Sequence, residues 1–143
     1  MWDFNPYNGL VMAYDRGWLD EFIPDWLSGG SITQVTVIRV VDGDTLVVND
    51  GGNEARVRLI GIDTPEVGEV GSEEATAFTS ALIHEVGMIV WLESVGTDRD
   101  RFGRLRRYVW LTNPNGLTDD QRADFLLNQR LLDSGYAVSW GDE

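Results

Sequence analysis

Several common residues and features are missing from this chain of 143 residues. It has no cysteine, which excludes disulfide bridges, thiol catalysis and cysteine-held metals. It has no lysine, so every one of its 11 basic residues is arginine. It has no run of eighteen apolar residues, which excludes a membrane-crossing helix. Residues 1–7 lack the basic start and apolar stretch of a signal peptide, so the expected location is the cytoplasm, or outside the cell after removal of a signal. Its single histidine, His84, falls near the end of a predicted helix, where it decorates or caps the surface rather than catalyses. No internal repeat or low-complexity tract interrupts the chain.

What is abundant is acid. Twenty-four carboxylates leave a net charge of −13, and such a surface repels polyanions rather than offering them a broad positive footprint. Adaptation to high salt explains both the acids and the missing lysines, whereas an arginine-biased genome explains only the latter. The arginines are concentrated. Between Asp98 and Arg107 lie five of them against two aspartates. That local positive strip is either a salt-laced exposed strand or a place where phosphate is held against the general repulsion.

Patterning predicts one α+β domain over residues 31–143, preceded by an aromatic helical extension over 1–30. Residues 34–41 are β-branched and read as a strand, and 45–49 as its partner. Asp50-Gly51-Gly52-Asn53 is a hairpin turn, and 56–60 alternates as a third strand. Ser72 is placed to cap a helix whose inner face is Ala75, Phe78, Thr79, Leu82 and Ile83, with Gly87 ending it. Residues 88–93 and 105–111 are two more strands. Thr118 and Gln121 form a capping box for a final helix that runs through Leu126 to Gly135. Five short strands with helices between and after them predict an OB-fold, a small five-stranded β-barrel.

Chemistry gathers at the strand ends. Asp44 follows a glycine turn, and Asp63-Thr64-Pro65-Glu66 follows the third strand. Carboxylates at neighbouring strand ends converge on a hard cation, and calcium accepts such oxygens together with backbone carbonyls and water. Glu66, just past a proline-fixed backbone, is placed as a base for a nearby water. Arg58, five positions before Asp63 and expected on the same strand, and Arg104 add guanidinium groups that match phosphate oxygens. Each feature has an ordinary alternative: a turn, a strand end, a surface charge. Together they make a kit for phosphodiester hydrolysis.

The runs Asp42-Gly43-Asp44-Thr45-Leu46 and Arg58-Leu59-Ile60-Gly61-Ile62-Asp63-Thr64-Pro65-Glu66 resemble the first signature of the staphylococcal nuclease family. Asp100-Arg101-Phe102-Gly103-Arg104 resembles the second. Residues 74–78 are similar to the family's first helix and 131–137 to its late helix-and-glycine segment, so the likeness covers 33–140. The resemblance implies a calcium-dependent nuclease that attacks phosphorus in line and leaves 3′-phosphates on DNA or RNA. It implies Asp44 and Asp63 as calcium ligands with the Thr64 carbonyl, and Glu66 as the residue that positions or deprotonates water. Arg58 and Arg104 would hold the phosphate, with Arg101 and Phe102 as further substrate contacts. No membrane and no obligate protein partner are implied, and a monomer is expected. The alternative is a non-catalytic barrel that binds nucleic acid or protein.

The chain also departs from that family. Phe102 stands where a well-known member has tyrosine, and Arg106 and Arg107 replace small or apolar residues. The loop after Glu66 is shorter, and a C-terminal helix of the staphylococcal enzyme has no counterpart before Glu143. Leu10, Tyr14, Trp18, Phe22 and Trp26 recur every four residues, kinked by Pro24. That stripe is expected to pack on the barrel in the missing helix's place. Trp91 and Trp110 read as strand residues, and Trp140 as a packing residue rather than a base-stacking platform.

Overall fold

A computed structural model of the protein describes residues 6–8, 10–11 and 31–141. Strand β1 (Pro6–Asn8) pairs with β2 (Leu10–Val11). Leu10 and Val11 are therefore strand where a helix over 10–27 is expected; the rest of that helix, 12–27, and its packing on the barrel lie outside the described residues.

The β-branched run after Ser31 becomes an 11-residue strand, β3 (Ile32–Asp42), longer at both ends than expected. Its first half pairs with β7 (Ile89–Glu93) and its second half with β4 (Thr45–Asp50). Thr36 lies at the hand-over, opposite Ile89 on one side and Asn49 on the other. Register shifts between Val37 and Arg39 and between Val40 and Asp42 mark bulges. Bulges bend a strand and increase its twist, which lets β3 serve both sides of a closed sheet. The two-glycine turn leads into β5 (Asn53–Leu59), and β8 (Leu105–Trp110) pairs parallel with β5 and antiparallel with β7. The order β3-β4-β5-β8-β7 closes on itself, the five-stranded barrel the pattern predicted.

Leu46, Val48, Val57, Leu59, Val90 and Val109 fill the interior at 0–1% exposure. Each such side chain contributes roughly 1.5–3 kcal/mol by leaving water. Helix α1 (Ser72–Glu85) covers one flank through the expected inner face, with Phe78 half-buried. Ser72 does not cap it. Gly71 takes the N-cap at φ 92, a left-handed conformation open to glycine, and Ser72 becomes the first helical residue, buried. Gly87 ends the helix as expected, and His84 is exposed in the last turn.

The final helix is two helices. α2 (Asp119–Phe125) opens with Thr118 N–H donating to Gln121 Oε1, and α3 (Leu127–Asp133) follows a break at Leu126, φ −94 and ψ 112. The break has a tertiary cause: Leu111 N–H takes the Phe125 carbonyl at 2.8 Å, and Leu126 bridges Trp110. Past Gly135, β9 (Val138–Ser139) pairs with β6 (Ile62–Asp63), a two-residue strand just beyond β5. Among the described residues no helix is long and apolar enough to cross a membrane.

Candidate active site

The turn between β3 and β4 has room for glycine alone at position 43. A Cβ there would lie 2.8 Å from Ala75 Cβ and 2.9 Å from Thr64 Cγ2. The Gly43 carbonyl accepts Thr79 Oγ1–H at 2.8 Å. Helix α1, the turn and the segment after β6 are therefore drawn together at one point.

Asp44 follows at 4% exposure. Its Oδ1 accepts Thr45 Oγ1–H at 3.0 Å, and its Oδ2 accepts Thr64 N–H at 2.9 Å and Arg58 Nη1 at 3.1 Å. Arg58, 8% exposed, spends Nη1 also on the carbonyls of Leu59 and Ile62, and Nη2 on Asp63 Oδ1 at 3.1 Å. Asp63 shares no strand with Arg58. The chain turns at Ile60–Gly61, where Gly61 has φ 80, and this reversal brings Asp63 back over the guanidinium on β6. Asp44, Arg58, Asp63 and Thr64, spread over 21 positions of sequence, thus meet in one bonded cluster.

Asp42 belongs with them and was missed by the sequence reading, although Asp-Gly-Asp put it two residues from Asp44. It accepts Asp44 N–H at 3.1 Å. Burial, then the bond and charge of Asp44, push its carboxyl up to about 6.

Glu66 is exposed and stands apart from this cluster. Its N–H donates to Glu69 Oε1 at 2.7 Å, and among the described residues its carboxylate makes no hydrogen bond or ion pair. An open cleft of about 470 Å³ runs beside it, lined by Asp63, Thr64, Pro65, Glu69 and the 135–138 segment. Val67, Val70, Val138 and, at 48%, Trp140 are exposed around this region.

Arg101, Phe102 and Arg104 form a second group on the loop before β8. Gly103 N–H bonds the Asp100 carbonyl at 3.0 Å with Gly103 at φ 84, and Asp100 N–H bonds the Arg104 carbonyl at 2.9 Å. This is a tight hairpin turn with glycine in its left-handed position. Phe102 stands 69% exposed, with the guanidinium carbons of Arg101 and Arg104 at 5.0 and 5.4 Å from its ring centre. Arg106 and Arg107 do not join them. Arg106 is buried and donates to the Thr97 carbonyl, and Arg107 pairs with Asp98 at 2.8 Å, so both pin the loop's base.

Asn128 is the other residue that sequence reasoning passed over. Buried in α3, it accepts Val109 N–H at 3.0 Å and donates to the Ile60 carbonyl at 2.8 Å, bracing the turn that aims Asp63. An asparagine inside a helix carries no sequence signal for that task.

The donors suit a hard cation. Among the described residues no three carboxylate or imidazole groups converge to hold a metal by side chains alone. Two carboxylates and a carbonyl, with water completing the shell, need no such trio. Thr64 Oγ1 is buried without a hydrogen-bond partner, and two carboxylates, Asp44 and Asp63, share one guanidinium. Both features fit a bound cation with its water.

Similarity to known proteins runs along the same residues. The family described as staphylococcal nuclease homologue matches residues 56–141. The thermonuclease of Staphylococcus hyicus is 38% identical over 91 residues, covering 59% of this chain and 53% of that protein. The thermonuclease of Staphylococcus intermedius is 40% identical over 81 residues, 52% of this chain and 47% of that one. The SPbeta prophage-derived endonuclease YokF of Bacillus subtilis is 36% identical over 86 residues, 56% of this chain and 29% of that one. The chain spans about half the length of the two thermonucleases it matches.

Proposed function

The chain belongs to the staphylococcal nuclease homologue family, and from that premise we propose that it is a calcium-dependent nuclease hydrolysing phosphodiester bonds of DNA, RNA or both. The observation that carries this reading is the sharing of Arg58 between Asp44 and Asp63 beside an open cleft. The relatives at 36–40% identity are two thermonucleases and an endonuclease.

Asp44, Asp63 and the Thr64 carbonyl would hold the calcium. When bound, the cation offsets the charge of a phosphodiester and of the attacking oxygen. Glu66, exposed beside the cleft, positions or deprotonates the attacking water. Arg58 and Arg104 bind the non-bridging oxygens and stabilise the charge that builds on five-coordinate phosphorus. Water attacks in line with the bond to the 5′ oxygen, and the product strand keeps a 3′-phosphate. Arg101 and Phe102 contact the strand beyond the scissile phosphate. The acidic surface elsewhere repels the rest of the polyanion and limits contact to this face.

The test is cleavage of single-stranded DNA, duplex DNA and RNA with calcium or chelator, from low to molar salt. Glu66→Ser and Arg104→Ala proteins run beside the wild type. Calcium-dependent cutting that both substitutions slow by about 10²-fold or more is the expected result. A folded wild type that cuts nothing would leave a binding barrel in place of an enzyme.

A further inference from the structure

The loop that carries Arg104 contains a carboxylate to which the proposed reaction gives no task. Asp100 opens the turn and accepts three bonds from within it. Phe102 N–H and Arg104 N–H reach Oδ1 at 2.9 Å each, and Arg104 Nε–H reaches Oδ2 at 2.7 Å. Burial opposes the charge on Asp100, yet these bonds and the Arg104 charge hold the carboxyl below its ordinary range. The contact at Nε is charged at both ends, and such bonds are about twice as strong as neutral ones.

Which nitrogen is held matters. Nε lies at the stem of the guanidinium, so a bond there restricts its plane without using Nη1 or Nη2. Among the described residues neither terminal nitrogen of Arg104 has a hydrogen-bond partner. The Phe102 ring stands 5.4 Å from the Cζ of Arg104 and restricts its swing. A ring contact of this kind needs no hydroxyl.

We propose that Asp100, assisted by the Phe102 ring, is the positioning residue of Arg104. It presents the terminal fork in the orientation a phosphodiester needs, so the side chain does not have to be ordered during the reaction. This inference rests on the reading of Arg104 as the group that binds phosphate.

Asp100→Asn separates positioning from folding, because the asparagine oxygen still accepts the two backbone N–H groups while the charge beside Nε is lost. kcat and KM on a single-stranded oligonucleotide with calcium are measured for wild type, Asp100→Asn, Arg104→Ala and the double variant, with Tm for each. Asp100→Asn is expected to lower kcat about 10- to 100-fold, to move KM less, and to leave Tm nearly unchanged. On the Arg104→Ala background the same change is expected to alter kcat less than about twofold, since nothing remains to be positioned. Equal losses on both backgrounds overturn the proposal, as does full kcat in Asp100→Asn when Arg104→Ala is impaired.

A second readout does not depend on catalysis. The Nε–Hε resonance of Arg104, assigned by its loss in Arg104→Ala, is expected to stand apart from those of exposed arginines. In Asp100→Asn it is expected to merge with them. An unmoved resonance overturns the positioning role. A wild type that fails to cut overturns the nuclease reading instead, while the resonance still tests Asp100.

Discussion

Arg58 is held by the fold at large, whereas Arg104 is held within its own five-residue turn, by Asp100 and Phe102. The first sits 8% exposed, bonded to a turn, a strand end and a separate two-residue strand. The second leans on a carboxylate four positions earlier and a ring two positions earlier. A guanidinium fixed by tertiary contacts cannot be changed without disturbing the structure that aims it. One fixed by a local turn can be removed with the barrel intact. Two arginines proposed for the same reaction therefore differ in what their loss costs the protein.

The sharpest way to break that comparison is to delete each in turn. Arg58→Ala leaves Asp44 buried without its cation, and losing one partner of a buried pair costs about 3–5 kcal/mol. Urea unfolding without metal checks this, and calcium is expected to restore part of the loss. Arg104→Ala is expected to lower kcat by about 10²–10³-fold. Its unfolding free energy is expected to fall by less than that of Arg58→Ala, because Asp100 keeps its two backbone N–H donors. A barrel that unfolds on losing Arg104, or survives intact without Arg58, would erase the distinction.

Gly43→Ala tests the tertiary side without touching a charge. Its new Cβ meets Ala75 Cβ at 2.8 Å and Thr64 Cγ2 at 2.9 Å, an overpacking that costs about 1–3 kcal/mol in thermal or urea unfolding. The same insertion at an open glycine such as Gly103 meets nothing within 4 Å, although its φ of 84 still strains an alanine.

The smallest expected effect is a contrast in pH dependence. Asp42 is raised from 3.8 to about 6 in the folded protein, so its contribution is present below 3.8 and lost as pH rises through 6. Asp42→Asn is therefore expected to exceed wild type in metal-free stability near neutral pH, with the gap closing in acid. Asp100 is lowered from 3.8, so its contribution is present above that value and lost as pH falls through its folded pKa. The small stability deficit expected of Asp100→Asn near neutral pH should close in acid. Urea midpoints across the acid range check both signs.

Local chemistry was legible in the sequence, and long-range capture was not. The β-branched run of β3, the Asp50–Asn53 turn and the inner face of α1 follow from residue type and spacing. The Asp-Arg-Phe-Gly-Arg loop is a turn written in sequence, with aspartate first and glycine in the left-handed position. By contrast, nothing near Leu126 announces a helix break, because the Leu111 amide that causes it arrives from a barrel strand. Arg58 and Asp63 look like one strand until Gly61 is seen to reverse the chain. Ser72 looks like a cap because a serine before an apolar stripe usually is one, yet Gly71 takes the position. Asn128 exposes the same limit, since its two backbone partners lie 19 and 68 positions away.

The pairing of β6 with β9 has a consequence for how the protein is made. Asp63 sits on a strand of two residues, and the partner recorded for that strand is Val138–Ser139. A chain emerging from the ribosome presents Asp63 long before Val138. The segment carrying this carboxylate is therefore latched only once Val138 and Ser139 have been made. Until then the barrel strands can pair while the segment that carries Asp63 stays unlatched.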